Sequence, residues 1–254
     1  MRFIELDSVD STNAQAKRLA EQGDFGPVWI RADKQSAGRG RRGRTWTSET
    51  GNLFCSGLYP HDGNAHQLAQ LSFAASLALA DTLEHYVPRN LISLKWPNDV
   101  LLARAKTAGI LLESGHTQLN IAHHQKWIVV GIGVNLTHHP DMTEYPATHV
   151  MAHIPQEKLT GPEPVMTGAQ TVLAILAARF THWRHMLLTQ GFAPIGQAWM
   201  ERSYNIPGAV NVRLPSETFT GEALGLDQNG ALRVRLENGT IRDVHAGDVF
   251  FGAE

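Results

Sequence analysis

The 254-residue chain is 43% hydrophobic and 18% charged, with a formal net charge of −2. That balance excludes a disordered chain and a general polyanion binder, so any cationic chemistry must be local. The one cysteine, Cys55, excludes an intrachain disulfide and a cysteine-based zinc site, and its apolar surroundings in NLFCSGLY mark a buried thiol rather than a nucleophile.

The start, MRFIELDSVDSTN, has no continuous apolar stretch and does not read as a signal peptide. Thr12 and Gln15 stand at capping-box spacing, which predicts a helix with Thr12 as N-cap, Gln15 reaching back, and Gly23 at its end. PVWIRAD (27–33) reads as a strand, a loop rich in arginine and glycine follows, and GNLFCSGLY (51–59) reads as a second strand. Leu68, Leu71, Ala75, Leu79 and Leu83 recur at helical spacing and predict a helix over about 66–86, whose most apolar stretch, LSFAASLALADTL, is too short and too interrupted to span a bilayer. Four short apolar runs bounded by Gly, Pro and Asn predict strands at 91–96, 100–103, 109–114 and 126–136.

From His138 to Pro164 the chain is rich in His, Pro and Thr and reads as a connection. Val172, Ile175, Leu176, Arg179, Phe180 and Trp183 mark a helix, and 192–203 a further one. After Pro207 five short strands follow, punctuated by Gln228-Asn229-Gly230 and Asn238-Gly239, where Asn-Gly favours type I′ turns. They predict a small SH3-like β-barrel, with domains at 1–206 and 207–254. With no leader and no membrane span, a cytoplasmic location is expected. The thirteen histidines include His123-His124, His138-His139, His149 with His153 and His182 with His185. No HExxH motif accompanies them, so they read as surface histidines and no metal ligand is assigned.

Three segments carry chemistry. QSAGRGRRGRTW (35–46) places Arg39, Arg41, Arg42 and Arg44 among three glycines. Arginine forks match phosphate or carboxylate oxygens two at a time, and glycine lets the backbone approach a ligand. If the segment is extended, Arg39 and Arg41 face one way and Arg42 and Arg44 the other. A Walker loop is excluded, because no GxxxxGK[ST] is present. A solvated charged loop and a nucleic-acid contact stay open at this point, although no second basic patch or aromatic platform accompanies the arginines. KWPNDVLL (95–102) sets a proline turn between two strands that can deliver Lys95 and Asp99 to a pocket; an ion pair between those two is the simplest alternative. GIGVNL (131–136) ends a buried strand with glycines and an asparagine and reads as tight packing.

Taken in this order, STN (11–13), QSAGRGRRGRTW, KWPNDVLL, KTAGILLES (106–114), GIGVNL and GLDQNGALRV resemble biotin–protein ligase, the enzyme family that attaches biotin to biotin-dependent carboxylases. The likeness runs over essentially the whole chain. It implies an α+β fold, a mixed β-sheet flanked by helices of the class II synthetase-like, biotin–lipoate ligase kind, followed by the SH3-like domain. It also implies that biotin and ATP, with Mg2+, form biotinyl-5′-adenylate, and that biotin then passes to a lysine of a biotin carboxyl carrier protein domain. Some members also carry an N-terminal helix-turn-helix domain; with STN at 11–13 none is expected here. A homodimer is expected from family habit.

By the same resemblance, Arg41 and Lys95 are the catalytic cations. Ser11, Thr12, Asn13, Gln35, Arg39, Gly40, Arg41 and Lys95 bind biotin. Arg41, Arg42, Trp46, Asn98, Asp99 and Asn135 face ATP or the adenylate. The glycine-rich composition suggests that residues about 37–45 are mobile when the site is empty and close over the adenylate. A lipoate or octanoate ligase is the enzymatic alternative. The donors and acceptors of the Ser-Thr-Asn/Gln cluster suit a ureido ring better than a bare acyl chain.

Overall fold

The computed structural model describes residues 1–61, 63–120, 123–141, 143–160 and 168–251. Residues 142 and 161–164 of the expected connector, and 252–254 of the expected C-terminal domain, lie outside them.

A seven-stranded mixed sheet organises the first part of the chain. It contains β1 (Arg2–Val9), β2 (Val28–Gln35), β3 (Leu53–Pro60), β4 (Ile92–Lys95), β5 (Asp99–Leu102), β6 (Ala105–Asn120) and β7 (His123–Val134), in the order β1-β2-β3-β7-β6-β5-β4. The β1–β2 pair is parallel and the other pairs are antiparallel. β1 is an edge strand whose side chains are mostly exposed, so its apolar signal is faint and the sequence reading passed over it. β3 is buried on both faces from Leu53 to Tyr59, as suits a central strand covered on two sides.

Helix α1 (Thr12–Glu21) lies on one face, where Ala16 and Ala20 pack on Val28, Ile30, Leu58, Trp127 and Val129. On the other face α2 (Ala65–Leu83), the short α3 (Gln156–Thr160), α4 (Ala169–Gln190) and α5 (Phe192–Met200) enclose the larger core, with Leu77, Leu79, Leu176, Phe180 and Trp199 fully buried. Trp29, Tyr59 and Phe180 meet there at tilted and edge-on angles. The expected helix over 66–86 is α2, and Asn64 and Gln67 form its capping box.

The five expected C-terminal strands are present as β8 (Gly208–Arg213), β9 (Thr218–Leu226), β10 (Leu232–Arg235), β11 (Ile241–Val244) and β12 (Asp248–Phe251). They form one antiparallel sheet in the order β11-β10-β9-β8-β12. Val210, Val212, Leu232, Val234 and Val249 share the larger core, and Trp96 Nε1 donates to the Gly230 carbonyl at 3.1 Å. The two Asn-Gly turns are not type I′. Only Gly230 (φ 93°) and Gly239 (φ 83°) are left-handed, while the asparagines keep negative φ. Each loop is closed by a longer pairing, Asp227 N to Ala231 O and Leu236 N to Thr240 O, so the glycine alone absorbs the reversal.

A second correction concerns α1. Its N-cap is Ser11, with no side-chain cap; Thr12 is already inside the helix, and Gln15 accepts from Arg18 Nε at 2.9 Å instead of reaching back. The expected capping hydroxyl serves a cleft.

Candidate active site

Beyond the N-terminus of α1 the sheet face lies open, and glycines floor it. Gly131 and Gly133 alternate along β7, and Gly109 of β6 sits opposite Gly133. A Cβ on Gly131 would collide with Asn13 Oδ1; on Gly133 it would lie 2.5 Å from Trp46 Cε2, and on Gly109 3.0 Å from Trp46 Cζ3. The missing side chains make room for Asn13 at one end and the Trp46 ring at the other, and a cleft of about 320 Å³ results.

One end is polar and neutral. The Thr12 backbone N–H and hydroxyl both donate to Gln35 Oε1, at 2.9 and 3.2 Å, and Gln35 Nε2 donates to Ser48. Ser56, fully buried in β3, donates to Asn13 Oδ1 at 2.6 Å and lies 2.8 Å from Thr12 Oγ1. Asn13 Nδ2 donates to Glu113 Oε2 at 2.7 Å. Ser11, Thr12 and Asn13 are all buried. Amides and hydroxyls held by one another, with the Glu113 carboxylate behind Asn13, are pre-set to receive a neutral ligand rich in hydrogen-bonding groups.

The middle is cationic. Lys95 ends β4, the turn Trp96–Asn98 carries a cis Trp96-Pro97 bond, and Asp99 opens β5 as the cross-strand neighbour of Lys95. The alternative, an ion pair between them, does not form. Asp99 is held by Lys106 at 2.7 Å, and among the described residues no carboxylate lies within ion-pair distance of Lys95. The Lys95 ammonium sits 3.7 Å from the centre of the Tyr145 ring, and the residue as a whole is 8% exposed. Burial lowers its pKa from 10.5 to about 8, against the opposing pull of Asp99. Arg41, half-buried in the same cleft, donates to Asn98 Oδ1 at 3.0 Å; burial disfavours its charge also, with Asp248 and Asp99 opposing. Two desolvated cations without a carboxylate ligand are a site for an anion.

The arginine loop folds over this cleft as a short hairpin. Gly40 N bonds to Arg44 O, Trp46 N to Gly38 O, and Arg39 bridges to Thr45. The segment is not the extended run on which the division of its arginines depends: it turns at Arg42 (φ 55°), and Arg44 lines the cleft together with Arg39 and Arg41. Arg39 reaches Glu113 at 3.0 Å and Arg41 reaches Asn98, while Arg42 and Arg44 both reach Asp248 of β12.

Of the sequence-assigned residues, Ser11, Thr12, Asn13, Gln35, Arg39, Gly40, Arg41, Trp46, Lys95, Asn98, Asp99 and Asn135 all line the cleft; Arg42 alone does not. Asn135 gives its amide N–H to the Thr148 carbonyl at 3.1 Å. Sequence reasoning did not single out Ser56, Lys106, Glu113, Tyr145 and Asp248. A lone hydroxyl in an otherwise apolar strand could have flagged Ser56; the others announce themselves only through distant partners. Among the described residues no three His, Cys, Asp or Glu side chains converge as a metal site. His139 and His149 instead stack on each other at 5.0 Å. Cys55 is buried against the Ile132 carbonyl, and burial pushes its thiol pKa up.

Residues 6–135 match the biotin/lipoate A/B protein ligase family, and residues 209–252 match the biotin protein ligase C-terminal domain. The chain is 39% identical over 250 residues to the biotin–[acetyl-CoA-carboxylase] ligase of Paracoccus denitrificans, covering 97% of this chain and 99% of that protein. Its identity to the corresponding ligase of Mycobacterium tuberculosis is 32% over 245 residues, covering 94% and 85%. The solved biotin protein ligase from Aquifex aeolicus in complex with biotin and ATP superposes with a TM-score of 0.73 at 25% identity, covering 99% of both chains. A family match across half its length and a near full-length relative at this identity establish that the chain belongs to the biotin/lipoate A/B protein ligase family.

Proposed function

We propose that the protein joins biotin to a lysine of a biotin carboxyl carrier protein domain, using ATP and passing through biotinyl-5′-adenylate. The observation that carries this reading is Lys95, buried and with no described carboxylate within ion-pair distance, sharing with Arg41 a cleft whose other end is a neutral cluster of amides and hydroxyls. A ureido ring fits that cluster, which a lipoyl or octanoyl chain would leave unsatisfied. A nucleic-acid contact is disfavoured, because the four loop arginines bond to Glu113, Asn98 and Asp248 rather than facing outward as a free patch.

In this reading Ser11, Thr12, Asn13 and Gln35 grip the ureido ring and Gly40 lets the loop close over it. Arg39, Arg41 and Lys95 hold the biotin carboxylate. Trp46 stacks on the adenine, and Asn98, Asp99 and Asn135 line the nucleotide side. The cations offset the repulsion between carboxylate and triphosphate. A carboxylate oxygen bonds to the α-phosphorus as the bond to the β-phosphate oxygen breaks and pyrophosphate leaves. The neutral amine of the acceptor lysine then attacks the acyl carbonyl, AMP departs, and the amine releases a proton. Mg2+ enters as the ion carried by ATP, since Asp99 and Asp248 already hold cations of the protein. We assign residues 1–206 to catalysis and 207–254 to a C-terminal domain, in a cytoplasmic homodimer.

The test is ATP–pyrophosphate exchange with biotin, lipoate or octanoate as the acid, followed by transfer of labelled biotin to a carrier domain. Exchange driven by biotin supports the proposal. Exchange driven only by lipoate or octanoate, or none with any of the three, refutes it. Sedimentation velocity tests the dimer.

A further inference from the structure

Asp248 opens β12, opposite Arg213 in the register of β8, and its neighbour Val249 is buried in the shared core. Its carboxylate therefore belongs to the C-terminal sheet and stands on a firm base. It nevertheless turns to the other unit. Oδ2 accepts from Arg42 Nη1 at 3.0 Å and Oδ1 from Arg44 Nη2 at 2.8 Å, one arginine on each oxygen. These contacts join residues more than two hundred positions apart, and the Asp248 side chain is only 18% exposed. The left-handed turn at Arg42 is what brings both guanidiniums to the same side, while Arg41 just before them stays on Asn98.

Within itself the loop has little to keep it closed. Gly38, Gly40 and Gly43 give it many open conformations, and its own backbone bonds are Gly40 to Arg44, Arg44 to Arg41 and Trp46 to Gly38. Its side-chain tethers are Arg39 to Glu113, Arg41 to Asn98, and the pair on Asp248. In the proposed reaction Arg39 and Arg41 exchange their partners for ligand oxygens. Of the tether on Asp248, Arg42 stands off the cleft while Asp248 and Arg44 line it; none of the three takes a ligand in the proposed reaction, so the tether can persist throughout.

We propose that Asp248 is a positioning residue that latches the arginine loop shut over the cleft, so that the C-terminal sheet sets how long the adenylate is retained. This rests on reading the cleft as an adenylate-forming site and adds to it a task for the second sheet. The latch itself is a property of the empty protein and can be measured without turnover.

The experiment uses the full chain in three forms: wild type, Asp248→Asn, and the double variant Arg42→Gln with Arg44→Gln. Hydrogen exchange of the amides in residues 38–46 is followed in the absence of ligand. Loss of two partly exposed charge-assisted bonds should speed that exchange about tenfold in either variant, with the amides of β8 to β12 unchanged. Combining the variants should add nothing further, because both break the same tie. Release of labelled biotinyl-adenylate in a chase should accelerate by a similar factor, and Asp248→Glu should restore most of the retention. Wild-type loop exchange in Asp248→Asn, additive effects in the combination, or loosening spread equally through the C-terminal sheet would each overturn the proposal. A wild-type protein that forms no adenylate would defeat the ligase reading while leaving the loop exchange readable.

Discussion

Replacing Lys95 by methionine keeps a similar buried volume and removes the charge, and the structure predicts opposite effects on stability and on catalysis. The residue is 8% exposed, and its ammonium has an aromatic face at 3.7 Å and no described carboxylate at ion-pair distance. Moving its pKa from 10.5 to about 8 corresponds to about 3 kcal/mol against the charged form in the empty fold. Because the folded protein binds this proton less tightly than the unfolded chain, the unfolded state holds more protons between those two values. Stability therefore rises with pH from about 8 to 10.5, and below about 8 the penalty is fully present. Lys95→Met should unfold at the same or a higher temperature at pH 7 and should lose that alkaline rise. A carboxylate or phosphate about 4 Å from the ammonium, at an effective dielectric near 20, gains about 4 kcal/mol, so the variant should lose about a thousandfold in biotin-dependent pyrophosphate exchange. In the wild type, kcat/KM for exchange should fall above about pH 8 as the free ammonium deprotonates. Exchange at the wild-type rate, or a loss of activity that merely follows a loss of fold, would refute the argument.

Three further outcomes are expected. Gly133→Ala puts a methyl 2.5 Å from the Trp46 ring; displacing the indole should weaken ATP binding by calorimetry about tenfold while leaving biotin binding intact. Ser56→Ala strips the donor from Asn13 Oδ1 in a buried setting and should raise the KM for biotin about tenfold with little change in the KM for ATP. Cys55 should resist a thiol-specific chromogenic reagent until the protein is unfolded, and alkylating reagent should leave exchange activity intact, because burial keeps the thiol protonated and out of reach.

Most of the fold was legible because its signals are local. The strands between Leu91 and Leu136 are short apolar runs between breakers, α2 shows a clean helical period, and the Asn-Gly pairs announce the C-terminal turns, though not their type. Site residues drawn from motifs converge for the same reason, since each motif is a turn or a strand end that aims its polar residues at one place. The exposed edge strand β1 was not legible, because a strand with little buried surface has little apolar pattern. The N-cap of α1 was misassigned because Thr12 satisfies the spacing of a cap while Gln35 and Ser56, from two other strands, claim its hydroxyl. Local competition between backbone and side-chain partners cannot be scored without the partners.

The partners of the charges were the least legible part, and they decide the chemistry. KWPND by itself gives Lys95 a ready counter-ion four residues on, and had Asp99 taken it, the cleft would hold a neutral pair. The partner of Asp99 is set instead across β5 and β6, where a register shift after Val100 lets Lys106 reach back to it. Glu113 takes Arg39, and Asp248 takes Arg42 and Arg44, by contacts spanning from 74 to 206 residues. Acids thus answer the cations at the rim, while Lys95 and Arg41 at the centre are left with a ring face and an amide oxygen. This is how a chain with a net charge of −2 presents a cationic point: its acids are placed so that two particular positive charges have no directly paired carboxylate among the described residues. A nearby carboxylate would have stabilised the empty protein and raised the barrier to binding an anion, so the local instability of Lys95 is the property on which the proposed reaction depends.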